Sequence, residues 1–375
     1  MTVLHGMAWG HQRGVGCLRE VSAEYARRHP EVRISWDSRS LREFEDVPIV
    51  ELAARYDLIA MDHPYVGQAH ANSALMPLEE LLPAPFLAQQ WENSTGPSFA
   101  SYTWAGSQWA VAMDAAAQVS AYLPEALDEA PATWDDVTAC LEELPRHRTV
   151  LPANPTHLVC SLLTLCSQIG ESGWLDRSGL DPEVAVPAAE RLLGLLELVD
   201  ARSLDIDPID TLTAMSAGEV AYSPVVFGYV NYARDHAVRF ADIPSPDRAP
   251  AGSLLGGVGL AISAKCAEPV AAARFLSHVV SAECQRDEYA AAGGQPGNRA
   301  AWTDPAVDAA SGGFYSATLR TLDRAFVRPR HIAYPVVHRR VGEEIHPLVR
   351  RGTTAGEIVR RFNEVCAATY AELEP

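Results

Sequence analysis

Apolar positions along the chain change their period several times, and each change marks an element. Val3 to Trp9 is a short apolar-rich run of strand type; Gly10, Gly14 and Gly16 break it, and Leu18, Val21 and Tyr25 then recur at helical spacing. His29-Pro30-Glu31 closes that helix, Val32 to Trp36 alternates as a second strand, and Pro48 to Tyr56 reads as a helix. Tyr56 to Met61 is a buried strand that ends at Asp62-His63-Pro64. Strands alternating with helices predict a doubly wound α/β lobe.

Further along, Gln108 to Asp114 and Gln118 to Tyr122 read as consecutive strands through a crossing point, the first hinge. Thr133 is placed to cap a helix that opens at Trp134, with Asp135 and Asp136 in the first turn, where the helix dipole favours negative charge. Helices dominate from Thr156 to Met215. Gly218 to Pro224, Val238 to Ile243 and Leu260 to Ser263 read as further strands, the last reached through Gly256-Gly257, where the chain crosses back. Glu268 to Ala292 is helical, Gly293 to Arg299 is a glycine-rich loop, and Thr354 to Leu373 is a closing amphipathic helix. With no repeat and no flexible linker, short crossings are expected to tie the parts together.

Length and charge narrow the picture. The 375 residues exceed what one hydrophobic core usually supports, so two lobes are expected. No stretch approaches the roughly 20 apolar residues that a membrane helix needs, which excludes membrane insertion of that kind. A formal net charge of −18 repels phosphate backbones, and no basic run offsets it, so nucleic acid is excluded as a partner. Cys17, Cys140, Cys160, Cys166, Cys266, Cys284 and Cys366 are odd in number and never spaced as CxxC, which argues against a disulfide framework or a zinc site and for a reducing compartment. Met1 to Trp9 has no basic segment followed by an apolar one, so no export signal and a cytoplasmic location are expected.

Four segments stand in a fixed order: Pro131-Ala-Thr-Trp134-Asp-Asp; Met215-Ser-Ala-Gly218-Glu-Val-Ala-Tyr222; Gly256-Gly257-Val-Gly-Leu-Ala-Ile-Ser263; and Ala273-Arg-Phe275-Leu-Ser through Gln285 to Gly293-Gly294-Gln-Pro296-Gly-Asn-Arg299. Together they resemble the family 1 extracellular solute-binding proteins, the sugar-binding class of the type II periplasmic-binding-protein fold. Their order and spacing, more than any one of them, carry the likeness. It implies two doubly wound α/β lobes joined by hinge strands, residues 1–113 and 254–309 in lobe one and 114–253 and 310–375 in lobe two. It also implies a small-molecule ligand in the cleft, with closure by hinge bending. The chain departs from the family pattern in having neither a leader nor a lipobox cysteine, which leaves coupling to a membrane transporter doubtful.

Candidate ligand-binding residues cluster at predicted strand ends. His11 and Arg13 follow the first strand, where an α/β lobe offers contacts; Arg13 either clamps a carboxylate or phosphate or is a surface residue, and Trp9, at the strand's end, is either a stacking platform or partly buried packing. Asp62 and His63 end another strand: Asp62 either orients His63 or merely caps the turn. Asp114 ends a buried strand at the hinge and needs a partner, whether a ligand hydroxyl, an arginine or a backbone donor. Tyr222, Ser223, Tyr229 and Asn231, beside Phe227 and Tyr232, offer ring faces and polar edges or else ordinary core. Arg299, in the glycine-rich loop, is a candidate for an anionic group. No cofactor and no metal are expected, and GxSxG, HExxH and a strand-borne GxGxxG are absent. The function expected is binding of a small polar organic ligand, an organic acid or a sugar derivative. The alternative is an enzyme on the same fold whose acid–base groups are His11, His63 and Asp114.

Overall fold

Seven strands form the main sheet of the computed structural model, which describes residues 1–40, 47–249 and 252–374. They are β1 (Thr2–Trp9), β2 (Val32–Arg39), β3 (Leu58–Met61), β4 (Val111–Tyr122), β5 (Tyr222–Phe227), β6 (Arg239–Ala241) and β7 (Leu255–Ile262). The order is β6-β4-β7-β3-β1-β2, with β5 also paired to β4. β1 runs parallel to both neighbours, Thr2 opposite Val32 and Met7 opposite Ile59. Parallel strands present their carboxyl ends at one edge. The loops carrying His11 to Arg13 and Asp62 to His63 therefore open on the same side.

One strand joins the lobes where the sequence pattern suggested two. β4 pairs antiparallel with β7 along Val111–Ala117, then with β5 along Gln118–Tyr122 and with β6 along Ser120–Tyr122. Nothing breaks it because Ala115, Ala116 and Ala117 are small, no Gly or Pro intervenes, and every residue from Val111 to Ala121 is buried. β7 returns beside it with a register shift between Val258 and Gly259. Gly256 and Gly257 lie inside β7 and not ahead of it. Gly257 has φ +98°, and a Cβ there would stand 2.5 Å from the Asp114 carbonyl oxygen, so only glycine fits this point of the hinge. A third crossing passes Phe326, bridged to Leu254, and Arg330, whose Nη1 donates to the carbonyls of Ala100 (3.0 Å) and Thr103 (2.9 Å) of lobe one.

Each lobe has its own core. Leu4, Trp9, Leu18, Leu58, Met113, Leu260 and Phe275 pack together in the first, and Trp134, Leu158, Leu162, Val225, Val337 and Phe362 in the second. In lobe one, α1 (Cys17–Arg28) buries Leu18, Val21 and Tyr25, as its spacing predicts. In lobe two, α2 (Pro155–Ile169) starts at Asn154, whose side chain accepts from the His157 amide at 3.0 Å. Beside it α3 (Tyr334–Arg350) turns a stripe of Tyr334, Val337, His338, Val341 and Ile345 inward. The two helices approach closely at Gly342, where a Cβ would meet the Pro155 carbonyl oxygen at 2.5 Å. The closing helix α4 (Ala355–Leu373) is capped by Thr354 and buries Ile358, Phe362 and Cys366. No helix among the described residues is long and apolar enough to cross a membrane.

Candidate functional site

The loops after β1 and β3 face the first turns of α2 and α3 across the β4–β7 hinge. Between them lies a cavity of about 120 Å³, about ten times the space one water needs. Lobe one contributes Trp9, Arg13, Asp62 and Tyr65; the hinge contributes Ala116, Gly256 and Gly257; lobe two contributes His157, Phe227, Tyr229, Arg328, Tyr334, His338 and Arg339. Aromatic faces thus alternate with a few polar groups, the composition usual for a site that takes a small organic molecule.

Arg13, on the cavity wall, and Asp114, behind it, form a closed pair. Nε and Nη2 of Arg13 donate to the two carboxylate oxygens at 2.7 and 2.6 Å, and Nη1 donates to the Gly228 carbonyl at 2.9 Å. The guanidinium carbon lies 4.4 Å from the centre of the Tyr229 ring, and the two side chains are 4% and 0% exposed. Burial lifts the Asp114 carboxyl above its ordinary range, against the pull of Arg13. Burial also opposes the Arg13 charge, but Asp114 outweighs it and raises the Arg13 pKa. The fork predicted to clamp a ligand anion is closed on Asp114 instead. It ties the β1 loop to the hinge and to lobe two, and the partner that Asp114 requires is this arginine.

His11 supports that loop. Its Nδ1 accepts from the Arg13 amide at 3.1 Å, and its ring meets Tyr229 edge-on at 5.1 Å between centroids and stacks with Tyr232 at 6.3 Å. Burial, then Arg13, lowers its pKa to about 4, so it is neutral near pH 7. Asn231 donates to the Gly293 carbonyl at 3.0 Å.

Asp62 bridges the cleft. Oδ1 accepts from the His63 amide at 2.8 Å, and Oδ2 accepts from Nη2 of Arg328 at 2.5 Å. Burial works to raise its pKa, but Arg328 and His63 outweigh burial and hold the carboxyl well below the usual range. His63 is buried against Tyr102, and burial lowers its pKa to about 4. Its Nε2 has no hydrogen-bond partner among the described residues.

The remaining predicted residues lie elsewhere. Tyr222 and Ser223 are fully buried in β5, where the Tyr222 hydroxyl accepts from Ser120 at 3.3 Å. Arg299 pairs with Asp323 at 2.5 and 2.6 Å on the surface, outside the cavity. His11, His63 and Asp114 do not line the cavity, and the Asp114 carboxylate is taken up by Arg13.

Sequence reasoning missed Arg328, His157, Tyr334 and His338. His157 Nδ1 lies 2.9 Å from Asn154 Oδ1, while His338 lies 3.3 Å from the Thr156 carbonyl and 3.4 Å from the Tyr334 hydroxyl. Burial, then the Arg328 charge, lowers both histidines to about 3. The i, i+4 spacing of Tyr334 and His338 was a usable signal of a shared helix face. Nothing local marks Arg328. A group able to hold a metal, His278, Cys284 and Glu288, lies outside the cavity, and its Glu288 already accepts from Arg28 at 2.5 Å.

Two α/β lobes joined by shared strands around a ring-lined polar cavity define the type II periplasmic-binding-protein fold. Solved structures agree in fold. Maltose-bound MalE3 of T. maritima is 19% identical with a TM-score of 0.84, over 98% of this chain and 99% of that one. The GacH receptor of Streptomyces glaucescens is 15% identical with a TM-score of 0.80, over 99% of both chains. An ABC transporter solute-binding protein of Agrobacterium radiobacter K84, in complex with ribitol, is 17% identical with a TM-score of 0.82, over 98% of both. No curated protein sequence matches the chain. Residues 50–312 match the sequence profile of the bacterial extracellular solute-binding proteins, and the chain belongs to that family.

Proposed function

We propose that the two lobes close on a small polar organic molecule, a sugar, a polyol or an organic acid, held in the cavity at the hinge. The observation that carries this reading is the cavity itself. Rings of Trp9, Phe227 and Tyr229 offer apolar faces, while Asp62, Arg328, His157 and Tyr334 offer polar edges, on two lobes joined by β4 and β7. Proteins of the same fold with bound maltose or ribitol support the ligand class. The glycine at 257 gives the hinge a point of bending without a side chain to obstruct it.

The seven cysteines support work in a reducing compartment: no disulfide joins any two of them, and all but Cys140 are buried. Family membership supports delivery to a membrane transporter, whereas seven cysteines without a disulfide favour a role inside the cell. Seven titratable thiols in denatured protein prepared without reductant are the expected count, and fewer would overturn the compartment reading.

Thermal-shift screening of sugars, polyols and hydroxy acids tests the binding reading. A cognate ligand at about 100 times its Kd stabilises by about 2.7 kcal/mol. A panel in which no compound raises the Tm would overturn it.

A further inference from the structure

We infer that the ligand of this cavity carries an acidic group, a carboxylate or a phosphate, and that Arg328 is the side chain that receives it. The inference rests on the binding reading above and adds the charge of the ligand to it.

Arg328 is buried, 9% exposed, and lines the cavity. A guanidinium has five N–H donors and no way to shed its charge. Here its one hydrogen-bond partner among the described residues is Asp62, through Nη2, and its Nε is buried without a partner. Leaving a buried charged donor unmet is costly, and a planar oxyanion meets two such donors at once. Arg13 shows the satisfied alternative a short distance away in the same cleft: every nitrogen of its fork is bonded to protein.

Two further features point the same way. Of the three arginines that line the cavity, Arg13 is closed on Asp114 and Arg339 pairs with Glu343 at 3.2 Å on the surface, which leaves Arg328 as the buried guanidinium with a donor still to give. In addition, Thr156 and His157, both on the cavity wall, belong to the first turn of α2, a helix of 15 residues. The positive end of its dipole is therefore directed at the same space. The rings of Trp9, Phe227 and Tyr229 leave room for a hydroxylated body beside the charge, so a sugar acid or a sugar phosphate is the class that fits.

Calorimetric titration of the full chain with charge-matched pairs tests this: glucose against glucuronate, sorbitol against gluconate, and glucose against glucose 6-phosphate. The acidic member of at least one pair should bind about 10- to 100-fold tighter than its neutral partner. Whether that member is a carboxylate or the phosphate identifies the anion. Arg328→Gln should weaken the acidic member by about 10- to 100-fold relative to the neutral one and so erase the preference. Asp62→Asn, which frees the arginine from its carboxylate, should strengthen binding of the acidic member, so the inference stays exposed to failure even if the arginine variant does not fold. Neutral members binding as tightly as acidic ones, or an unchanged preference in Arg328→Gln, would overturn the inference and leave the binding reading intact. Heat from none of the five probes would also overturn it. The binding reading would fall only if the wider screen of sugars, polyols and hydroxy acids were silent too.

Discussion

Two arginine–aspartate pairs hold the middle of this molecule, and they differ in how completely each is bonded. Arg13 spends its fork on Asp114 and Gly228 and stacks on Tyr229, with both side chains sealed from solvent. Arg328 gives Asp62 one hydrogen bond, keeps a buried Nε unmet, and faces the cavity. The residue types are the same in both. The satisfied pair reads as a fastener of loop to hinge, the unsatisfied one as a receptor, so the number of N–H groups already bonded separates structure from site.

The largest expected effect is on stability as pH falls. His11 beside the first pair, and His63, His157 and His338 around the second, are all neutral in the fold, with pKa values of about 4, 4, 3 and 3. Above the unfolded value of about 6.5, neither state binds these protons and stability is complete. Below it the unfolded chain protonates first, so stability drops by about 1.4 kcal/mol per pH unit for each histidine until the pH passes the folded value. Urea midpoints should be level from pH 8 to 7 and fall steeply between 6.5 and 5. A midpoint that does not move between pH 7 and 5 would show that protonation finds the rings around both pairs hydrated.

Arg13→Met comes next. It strands a buried carboxylate and should cost about 3–5 kcal/mol in urea unfolding, with much of the loss recovered in the double variant Arg13→Met/Asp114→Leu. A loss below about 1 kcal/mol would mean that this pair is not sealed. Arg328→Met should cost less, about 1–2 kcal/mol, because Asp62 keeps its bond from the His63 amide and a side chain that is 17% exposed. If the two substitutions cost the same, the distinction between fastener and receptor fails. Arg299 sharpens the comparison from the other side. It grips Asp323 at 2.5 and 2.6 Å, as Arg13 grips Asp114, but the two side chains are 38% and 31% exposed. Arg299→Ala should therefore shift the urea midpoint by less than about 1 kcal/mol in free energy.

Much of the frame was legible in the chain because its signals are short-range. Periodicity marked β1, α1 and β3, and Thr133 and Thr354 stand at their helix starts with side chains accepting as caps. The edge-sharing loops of His11 and Asp62 follow from parallel pairing. Periodicity assigned no element between Arg299 and Thr354, although α3 carries four cavity residues there, because its inward stripe includes histidines and its turns are rich in arginine. The single strand β4 was divided for a related reason: a buried strand carries no alternation, so its length shows only once partners cover both edges.

What the sequence by itself determined is therefore the alternation of strands and helices and the capped helix starts, all set by residues within a turn or two of one another. Which arginine serves the ligand was decided only by the tertiary structure. Arg13, Arg299 and Arg328 are alike in sequence, and the aspartates that distinguish them lie 101, 24 and 266 positions away. No local pattern spans such separations; packing of the two lobes around the shared strands brings the partners together, and with them the count of hydrogen bonds that leaves one guanidinium unmet.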